Sequence, residues 1–294
     1  MKYGGTSFMS LVSIERRKLF ARALLWVELG VLALLVISLH IALIATVQKG
    51  GGGDIPPQAL ESLRHLLYWP QALNNALAFA NGGELGGMLV AILVGAFVAQ
   101  EYTWHTVHLV LSRGVSRINF LLAKFAVIMV ALLLIVLTTL LAGGLVTGVF
   151  TYVDRGGLSL GISALSPLAM NVLRVTFTLV PYAALTFFLA VVSRSTMVAI
   201  GVGLGYSLLV ENLLVETLSM VSAQAARLTR FFPTMLTKSI MQVVTGDIEV
   251  SMGMQVPGKV QLLDPNVAAL LLAVYTLVFL ALALWFFRQQ DVTV

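Results

Sequence analysis

The sequence contains no cysteine and few charged residues. Without cysteine, the chain has no disulfide, no thiolate metal site and no catalytic thiol. Charged residues make up 11% of its 294 residues, whereas soluble domains carry about 25%. Hydrophobic residues make up 59%. A water-soluble fold of this size needs more surface charge to stay dispersed, so the composition predicts an integral membrane protein.

Two further absences limit the chemistry that the chain can perform. It has no Gly-x-x-x-x-Gly-Lys-Ser/Thr loop, the segment that binds nucleotide phosphates in many ATPases. Its four histidines show none of the spacings typical of metal sites, so we expect no metal site. The net charge of +5 comes from basic residues that flank apolar runs. That arrangement is typical of membrane proteins and does not indicate a nucleic-acid partner.

Six apolar runs predict the fold class. A run of about 18 or more apolar residues crosses the hydrocarbon core as a helix. The sequence therefore predicts an all-α, polytopic protein in which residues 1–294 form a single transmembrane domain. The first run is too long for the core of a signal peptide, so we expect it to remain as a span. The predicted spans are 23–47, 77–99, 125–150, 172–192, 196–215 and 267–287.

Basic residues near the ends of the spans predict the orientation, because cytoplasmic loops carry an excess of Lys and Arg. With six spans, the basic short segments all fall on the same side of the membrane. We therefore expect both termini in the cytoplasm and the protein in the plasma membrane of a bacterium. The residues concerned are Arg16, Arg17, Lys18, Arg22, Arg113, Arg117, Lys124, Arg194 and Arg288.

Short helices are predicted at the membrane surface, outside the spans. Before the first span, an apolar face and a basic face predict an interfacial elbow helix with its apolar side in the lipid. The alternative is a basic flank that only anchors the span. The apolar face holds Phe8, Leu11, Val12 and Leu19, and the basic residues are Arg16, Arg17, Lys18 and Arg22. In the long outer loop 216–265, residues 220–226 and 235–244 are predicted as interfacial or re-entrant helices, separated by Phe231, Phe232 and Pro233.

The cytoplasmic loop 101–120, after the second span, carries most of the functional information. It is too apolar for a solvated loop, since residues 107 and 109–111 are all Val or Leu. Gly114 is predicted to end one helix and Ser116 to cap the next. A helix, a turn and a helix with an exposed apolar surface would suit a docking element for a cytoplasmic partner. The same pattern would suit a plain interfacial helix.

This loop resembles the loop between the second and third spans of type-2 ABC transporter permeases, an exporter class with six spans per subunit. In that family, a glutamate closes the second span and a Gly-Thr pair and a basic residue follow. A leucine-rich turn, a Gly or Pro, a Val-Ser-Arg sequence and a lysine then lead into the third span. The matching residues here are Glu101, Thr106, Leu111, Arg113, Gly114, Val115, Ser116, Arg117 and Lys124. The chain departs from the pattern at His105, where glycine is usual, and at His108, where a basic residue is usual.

A looser likeness extends over the rest of the chain. It includes the basic elbow helix, residues 193–196 between the fourth and fifth spans, and residues 231–234 in the last outer loop. The resemblance implies that loop 101–120 is a coupling helix that docks on a separate ABC ATP-binding subunit. It implies that ATP and Mg²⁺ are bound by that partner and that this chain binds no cofactor. The coupling residues that it implies are Glu101, Thr106, His108, Arg113, Gly114, Arg117 and Lys124.

The resemblance also predicts the assembly. Two copies of the chain, or this chain and a homologous permease, would form the translocation path in the lipid bilayer. We therefore expect a transport subunit rather than an enzyme, with no catalytic residues of its own. Glu101 is expected to pair with Arg113, Arg117 or Lys124 at the cytoplasmic mouth. Because the spans offer no ring of charges, the expected cargo is hydrophobic or amphipathic.

Ionisable residues within the spans are expensive in lipid, so they face protein, water or the interface. Glu28 is expected to reach the interface or to pair with Arg22. Arg174 is expected at the outer interface, where its long side chain reaches headgroups. His40 is interpreted as a hydrogen-bonded packing histidine, with a proton relay as the alternative. Gly201 and Gly205 have the small-x-x-x-small spacing that lets helices approach closely, within the subunit or across a dimer.

Two other functions compete with the exporter. A secondary transporter working without an ATPase would show paired broken helices and buried ionisable residues near the midplane, and the sequence is poor in both. An intramembrane serine protease is suggested only by Ser207, which follows a glycine-rich stretch. No histidine occurs in a later span to act as its base, so the secondary transporter is the stronger alternative.

Overall fold

The computed structural model describes residues 8–50, 57–104, 112, 115–158, 161, 164–246 and 262–290. The described residues are 87% helical, and none of them forms a strand. A π-helical segment, Tyr206–Val210, lies between the helices Thr196–Gly205 and Glu211–Val221. The α-helices are α1 (Phe8–Phe20), α2 (Ala23–Gln48), α3 (Pro57–Leu67), α4 (Gln71–Ala78), α5 (Leu85–Thr103), α6 (Arg117–Arg155), α7 (Leu165–Ser193), α8 (Thr196–Gly205), α9 (Glu211–Val221), α10 (Ala223–Thr229), α11 (Pro233–Thr245) and α12 (Pro265–Gln289).

Six helical segments of the described chain are long and apolar enough to cross a membrane. Five of them are single helices: α2, α5, α6, α7 and α12. The remaining one, Thr196–Leu218, runs from α8 through the π-helical segment into α9. The chain is therefore a polytopic all-α membrane protein, which confirms the predicted fold class.

The core of the bundle lies between α5, α6 and α7. More than half of the residues in the apolar windows of these three helices are buried inside the protein. In the apolar windows of α2, α12 and the fifth span, fewer than a third of the residues are buried. Because an apolar side chain in lipid costs little, these three spans present a surface suited to lipid or to another membrane chain.

The second span differs from its predicted bounds of 77–99. Helix α4 ends at Ala78, and α5 begins only at Leu85. Glycines form the turn between them, because a Cβ on Gly82 would lie 2.2 Å from the Thr178 carbonyl oxygen. The Gly82 N–H also donates to the Thr178 hydroxyl at 3.3 Å. Hydropathy does not register this break, since alanine and glycine continue the apolar run through it.

The fifth span and the outer loop also differ from the predicted bounds of 196–215 and 216–265. Helix α9 continues to Val221, and Ser222 breaks the predicted helix 220–226. The extended backbone of Ser222 lets its hydroxyl accept from the N–H of Ala225 and cap α10. The predicted break at Phe231 and Phe232 is present, and α11 follows with most of its side chains buried. Helix α11 is thus part of the protein interior, because other parts of the protein cover it.

Different contacts hold the helices together at the two ends of the bundle. At one end, which we call the cluster end, α1 meets the last turn of α5 and the first turns of α6. Arg117 at the start of α6 donates there to the carbonyls of Arg288 at 3.0 Å and Gln290 at 2.9 Å. At the opposite end, Trp69 donates to the hydroxyl of Thr147 at 3.1 Å and joins the α3–α4 turn to α6.

Candidate functional site: a buried cluster of four charged residues

Four charged side chains from three helices meet at the cluster end of the bundle. Lys124 Nζ lies 2.6 Å from Glu15 Oε2 and 2.9 Å from Glu101 Oε2. Lys18 Nζ lies 2.6 Å from Glu15 Oε1 and 3.0 Å from Glu101 Oε1. Each carboxylate therefore contacts both ammonium groups, and the charges alternate around a closed ring. We call these four residues the charge cluster.

The charge cluster is buried. Glu15, Glu101 and Lys124 are each only 2% exposed, and Lys18 closes the ring on the more open side. A buried charge carries a large desolvation cost unless it is paired and hydrogen-bonded. The closed ring satisfies that condition for both carboxylates. Removing one member would leave an uncompensated charge inside the protein.

Local sequence places each member of the charge cluster. Glu15 lies on the buried face of α1, four residues from both Leu11 and Leu19. Glu101 lies in the last turns of α5, and Lys124 lies in the first turns of α6. These two residues flank the predicted coupling loop, so their ion pair connects its two ends.

Aromatic rings surround the cationic groups. Lys124 Nζ lies 4.4 Å from the centroid of the Phe97 ring and 5.3 Å from that of Phe120. The Arg22 guanidinium lies 5.0 Å from the centroid of the same Phe97 ring and 5.4 Å from that of Trp104. Within about 6 Å, a ring face attracts a cation and still excludes water. The rings thus stabilise the cationic groups and keep water away from them.

Arg22, in the turn between α1 and α2, connects that turn to α5. Its Nη1 donates to the Gln100 side-chain oxygen at 2.9 Å and to the Ala96 carbonyl at 3.2 Å. Burial lowers the pKa of its guanidinium, and Glu101 and Glu15 act against that shift. Arg22 therefore ties the start of the first span to the last turns of α5.

The charge cluster also changes the titration of Lys18. Burial alone would lower its pKa, because burial disfavours the ammonium form. The carboxylates of Glu101 and Glu15 outweigh burial and raise the pKa above the ordinary 10.5. Lys18 thus stays charged throughout the physiological range.

The structure places the predicted coupling residues as follows. Of the three partners predicted for Glu101, Lys124 forms the ion pair. Arg117 instead donates to backbone carbonyls at the end of α12. The other predicted coupling residues, Thr106, His108, Arg113 and Gly114, lie outside the described residues.

The predicted elbow helix is present as α1, but its faces are oriented differently. Leu11 and Leu19 were expected in the lipid, yet they are buried against the bundle. Lys18 turns inward to the charge cluster, while Arg16 and Arg17 remain exposed. The sequence of α1 alone gives neither face a protein partner, because the helices that it packs against are distant in the sequence.

Glu15 was missed by the sequence interpretation. A signal existed, because Glu15 lies on the same helical face as Leu11 and Leu19. An acidic residue within an apolar stripe indicates a buried partner of opposite charge. The partner itself, Lys124, is 109 residues away and no local pattern points to it.

The sequence predicts that Gly201 and Gly205 pack against another helix, within the subunit or across a dimer. The structure does not show such packing within the described subunit. A Cβ on Gly201 or Gly205 would meet no atom within 4 Å, so these two glycines do not pack inside the described chain. Gly203 does, because its Cβ would lie 3.0 Å from the Thr186 hydroxyl and 3.2 Å from the Ala91 Cβ. Residues two apart lie on different sides of a helix, which explains why Gly203 packs where Gly201 and Gly205 do not.

A second polar group lies in the fifth span. Glu211 is 1% exposed, and its Oε2 accepts from the Tyr182 hydroxyl at 3.0 Å and the Thr234 N–H at 3.1 Å. The Thr234 hydroxyl donates to the same oxygen. Thr234 is in the first turn of α11, so Glu211 caps that helix with a negative charge where the helix dipole is positive.

Two ionisable side chains of α2 have unpartnered atoms. Neither carboxylate oxygen of Glu28 has a hydrogen-bond partner among the described residues, although the side chain is buried. The predicted pairing with Arg22 is wrong, because Arg22 turns to α5 instead. His40 is a packing histidine as interpreted: its Nδ1 lies 2.8 Å from the Val36 carbonyl and its ring packs edge-on against Phe79.

Comparison with known families adds a classification. Residues 76–293 match the family described as "Protein of unknown function (DUF2705)". The chain belongs to this family. The match covers every described span after the first, and it includes Glu101 and Lys124 of the charge cluster. None of the curated proteins matches the chain.

Proposed function

We propose that the chain is the membrane-spanning permease subunit of an ATP-driven ABC exporter. Loop 101–120 would dock on a separate ATP-binding subunit, which binds ATP and Mg²⁺ and hydrolyses the nucleotide. A second copy, or a homologous permease, would complete the translocation path. The resemblance of the loop to type-2 permeases and the absence of a phosphate-binding loop in this sequence support the proposal.

The charge cluster is the observation that carries the proposal furthest. The ion pair between Glu101 and Lys124 holds the two ends of the loop together, and Glu15 joins both ends to α1. A packed interior transmits displacement because it has few voids. A push on the loop would therefore reach the second span, the third span and α1 together. A plain interfacial loop has no need of such costly buried charges.

The proposed orientation places the cluster end and both termini in the cytoplasm of a bacterial cell. The exposed Arg16 and Arg17 support it, because exposed basic residues near a span favour the cytoplasmic side. The natural chain has no cysteine, so single-cysteine variants report on one position each. In intact cells, a membrane-impermeant maleimide should label Lys49→Cys but not Arg17→Cys. The reverse pattern would overturn the orientation.

The decisive experiment tests for an ATPase partner. The chain would be co-expressed with each candidate ABC ATP-binding subunit of its own genome, purified in mild detergent and reconstituted. We expect one subunit to co-purify and Arg113→Glu in the loop to abolish the complex. Arg64→Glu in α3, exposed at the opposite end, is the matched control and should keep it. Arg117→Ala, which removes no member of the charge cluster, should assemble but uncouple ATP hydrolysis from transport.

A secondary transporter is the second candidate. The buried, unpartnered carboxyl of Glu28 favours it, since buried ionisable residues carry protons in that class. Transport into vesicles by the purified chain alone, driven by a proton gradient and lost in Glu28→Gln, would establish this function. It would also overturn the exporter proposal.

The proposed cargo is hydrophobic or amphipathic. The apolar windows of the spans hold at most two charged residues each. A path between two such bundles would offer few charges to a polar substrate. Stimulation of the ATPase of the complex by lipids, peptides or drug-like compounds, but not by glycans, would support that class.

A further inference from the structure

A cleft of about 530 Å³ lies at the opposite end of the bundle from the charge cluster. Three helices line it: α7, α11 and the first turns of α12. Its volume falls within the range of about 300 to 1,000 Å³ that is usual for small-molecule sites. The lining residues include Met170, Leu173, Arg174, Phe177, Val243 and Ala269. Arg174 is the one charged residue among them.

Arg174 is held in position by a chain of amide side chains. Its Nη1 donates to Asn171 Oδ1 at 2.8 Å, and Asn171 Nδ2 donates to Asn74 Oδ1 at 3.1 Å. Asn171 is buried, so this chain anchors the guanidinium to α4 through the protein interior. A guanidinium has five N–H donors. The described residues account for one of them.

No acidic side chain of the described residues forms an ion pair with Arg174. All four ion pairs within 4.0 Å that the described residues form belong to the charge cluster. Asp264, at the rim, accepts from the N–H of Asn266 as the cap of α12. Lys238 on α11 interacts electrostatically with Glu84. A cation with free donors thus lies in an apolar cleft, where an anion would gain from both charge and hydrogen bonds.

We propose that this cleft binds an anionic phospholipid, with its phosphate on the Arg174 guanidinium and an acyl chain along Leu173 and Phe177. Arginine suits a phosphate because its planar fork donates two parallel hydrogen bonds. The apolar walls suit an acyl chain, whereas a soluble anion would interact with Arg174 and gain nothing from those walls. The site is independent of the transport mechanism and holds for either proposed function.

The position of the cleft favours a lipid over a soluble ligand. Met170, Leu173 and Val243 line the cleft and are themselves exposed. The neighbouring surface of α12 is apolar as well, since Val267 and Leu270 are exposed. In a membrane, these side chains face acyl chains, so a lipid can enter the cleft sideways from the bilayer.

Native mass spectrometry of the purified chain in mild detergent tests the proposal. Phosphatidylglycerol and phosphatidylcholine would be titrated separately, and bound lipids counted. One basic contact gives a preference of about fivefold for the anionic lipid. We expect Arg174→Gln to remove that preference. Arg174→Lys should keep a preference for the anionic lipid but bind it more weakly, because an ammonium group lacks the planar fork. Arg227→Gln, an exposed arginine on α10, is the matched control and should bind as the natural chain does.

A phosphatidylglycerol with a diazirine in its acyl chain locates the site. Cross-links are expected on peptides that contain Leu173 or Ala269, and fewer in Arg174→Gln. Equal binding of both lipids, or cross-links elsewhere, would overturn the proposal. Residues 247–261 are the other candidate occupant. The double variant Asp247→Asn with Glu249→Gln tests that alternative. If this variant increases lipid binding while Arg174→Gln does not reduce it, the segment rather than a lipid pairs with Arg174, and the proposal is wrong.

Discussion

Lys124 and Glu15 are 109 residues apart in sequence, yet Lys124 Nζ and Glu15 Oε2 lie 2.6 Å apart inside the protein. Through this pair, the N-terminal helix α1 is joined to the third span. Glu101 of the second span contacts the same ammonium group at 2.9 Å. The arrangement makes α1 part of the bundle rather than an accessory on the membrane surface, and it leads to the first prediction.

Replacing one member of the charge cluster should cost more than replacing two. Lys124→Met leaves two buried carboxylates with a single cation, which should lower the free energy of unfolding by about 3 to 5 kcal/mol. Adding Glu15→Gln should recover part of that loss, because it removes the uncompensated charge. Unfolding in mixed detergent micelles measures both values. Lys49→Met, at an exposed site, is the control. Strictly additive losses would show that the two residues are not coupled.

The turn between α4 and α5 should not tolerate a methyl group. In Gly82→Ala the Cβ would lie 2.2 Å from the Thr178 carbonyl oxygen and 2.9 Å from the Tyr182 ring. Backbone has to move, and we expect a loss of about 3 kcal/mol or more, seen as a low yield of folded protein. Gly30→Ala in α2 is the matched control, since its Cβ meets nothing within 4 Å. Equal folded yields of the two variants would contradict the described turn.

A residue of the fifth span, Glu211, should control the stability of α11. Glu211→Ala removes the acceptor of the Thr234 N–H and of the Tyr182 hydroxyl. Losing a buried hydrogen-bonded partner costs about 1 to 3 kcal/mol, so amide hydrogen exchange within α11 should become faster. The effect should be local, with exchange in the core helix α6 unchanged. Glu61→Ala, on the exposed surface of α3, should leave α11 protected. Faster exchange in that control would mean that the effect does not arise from the cap.

Gly201 and Gly203 distinguish packing within the subunit from packing between copies. Gly201 faces open space, whereas Gly203 packs against Thr186 and Ala91. If the open face of α8 contacts the second copy of the proposed dimer, Gly201→Cys should form a disulfide-linked dimer when oxidised in membranes. Gly203→Cys should not, because its side chain would point into the bundle. No other cysteine interferes. A monomer in both cases would place the interface elsewhere.

Particular elements show how far the sequence could predict the candidate site. Glu101 and Lys124 were identified because both flank one short loop with a family-like pattern. The choice of Lys124 over Arg117 as the partner of Glu101 required the structure, since Arg117 is engaged at the end of α12. Arg174 was expected near headgroups, but the cleft around it is formed partly by α11 and α12, which are far away in sequence.

The sequence by itself determined that the chain crosses a membrane as an all-α protein with six spans, because hydropathy and run length are local properties that each segment carries alone. Only the tertiary structure decided that α1 belongs to the interior, that the second span is broken at Gly82, and that Gly203 rather than Gly201 packs within the subunit. These features depend on the rotation and depth of each helix relative to its neighbours. Rotation and depth are set by contacts between residues that are distant in sequence, such as Glu15 with Lys124 and Gly82 with Thr178.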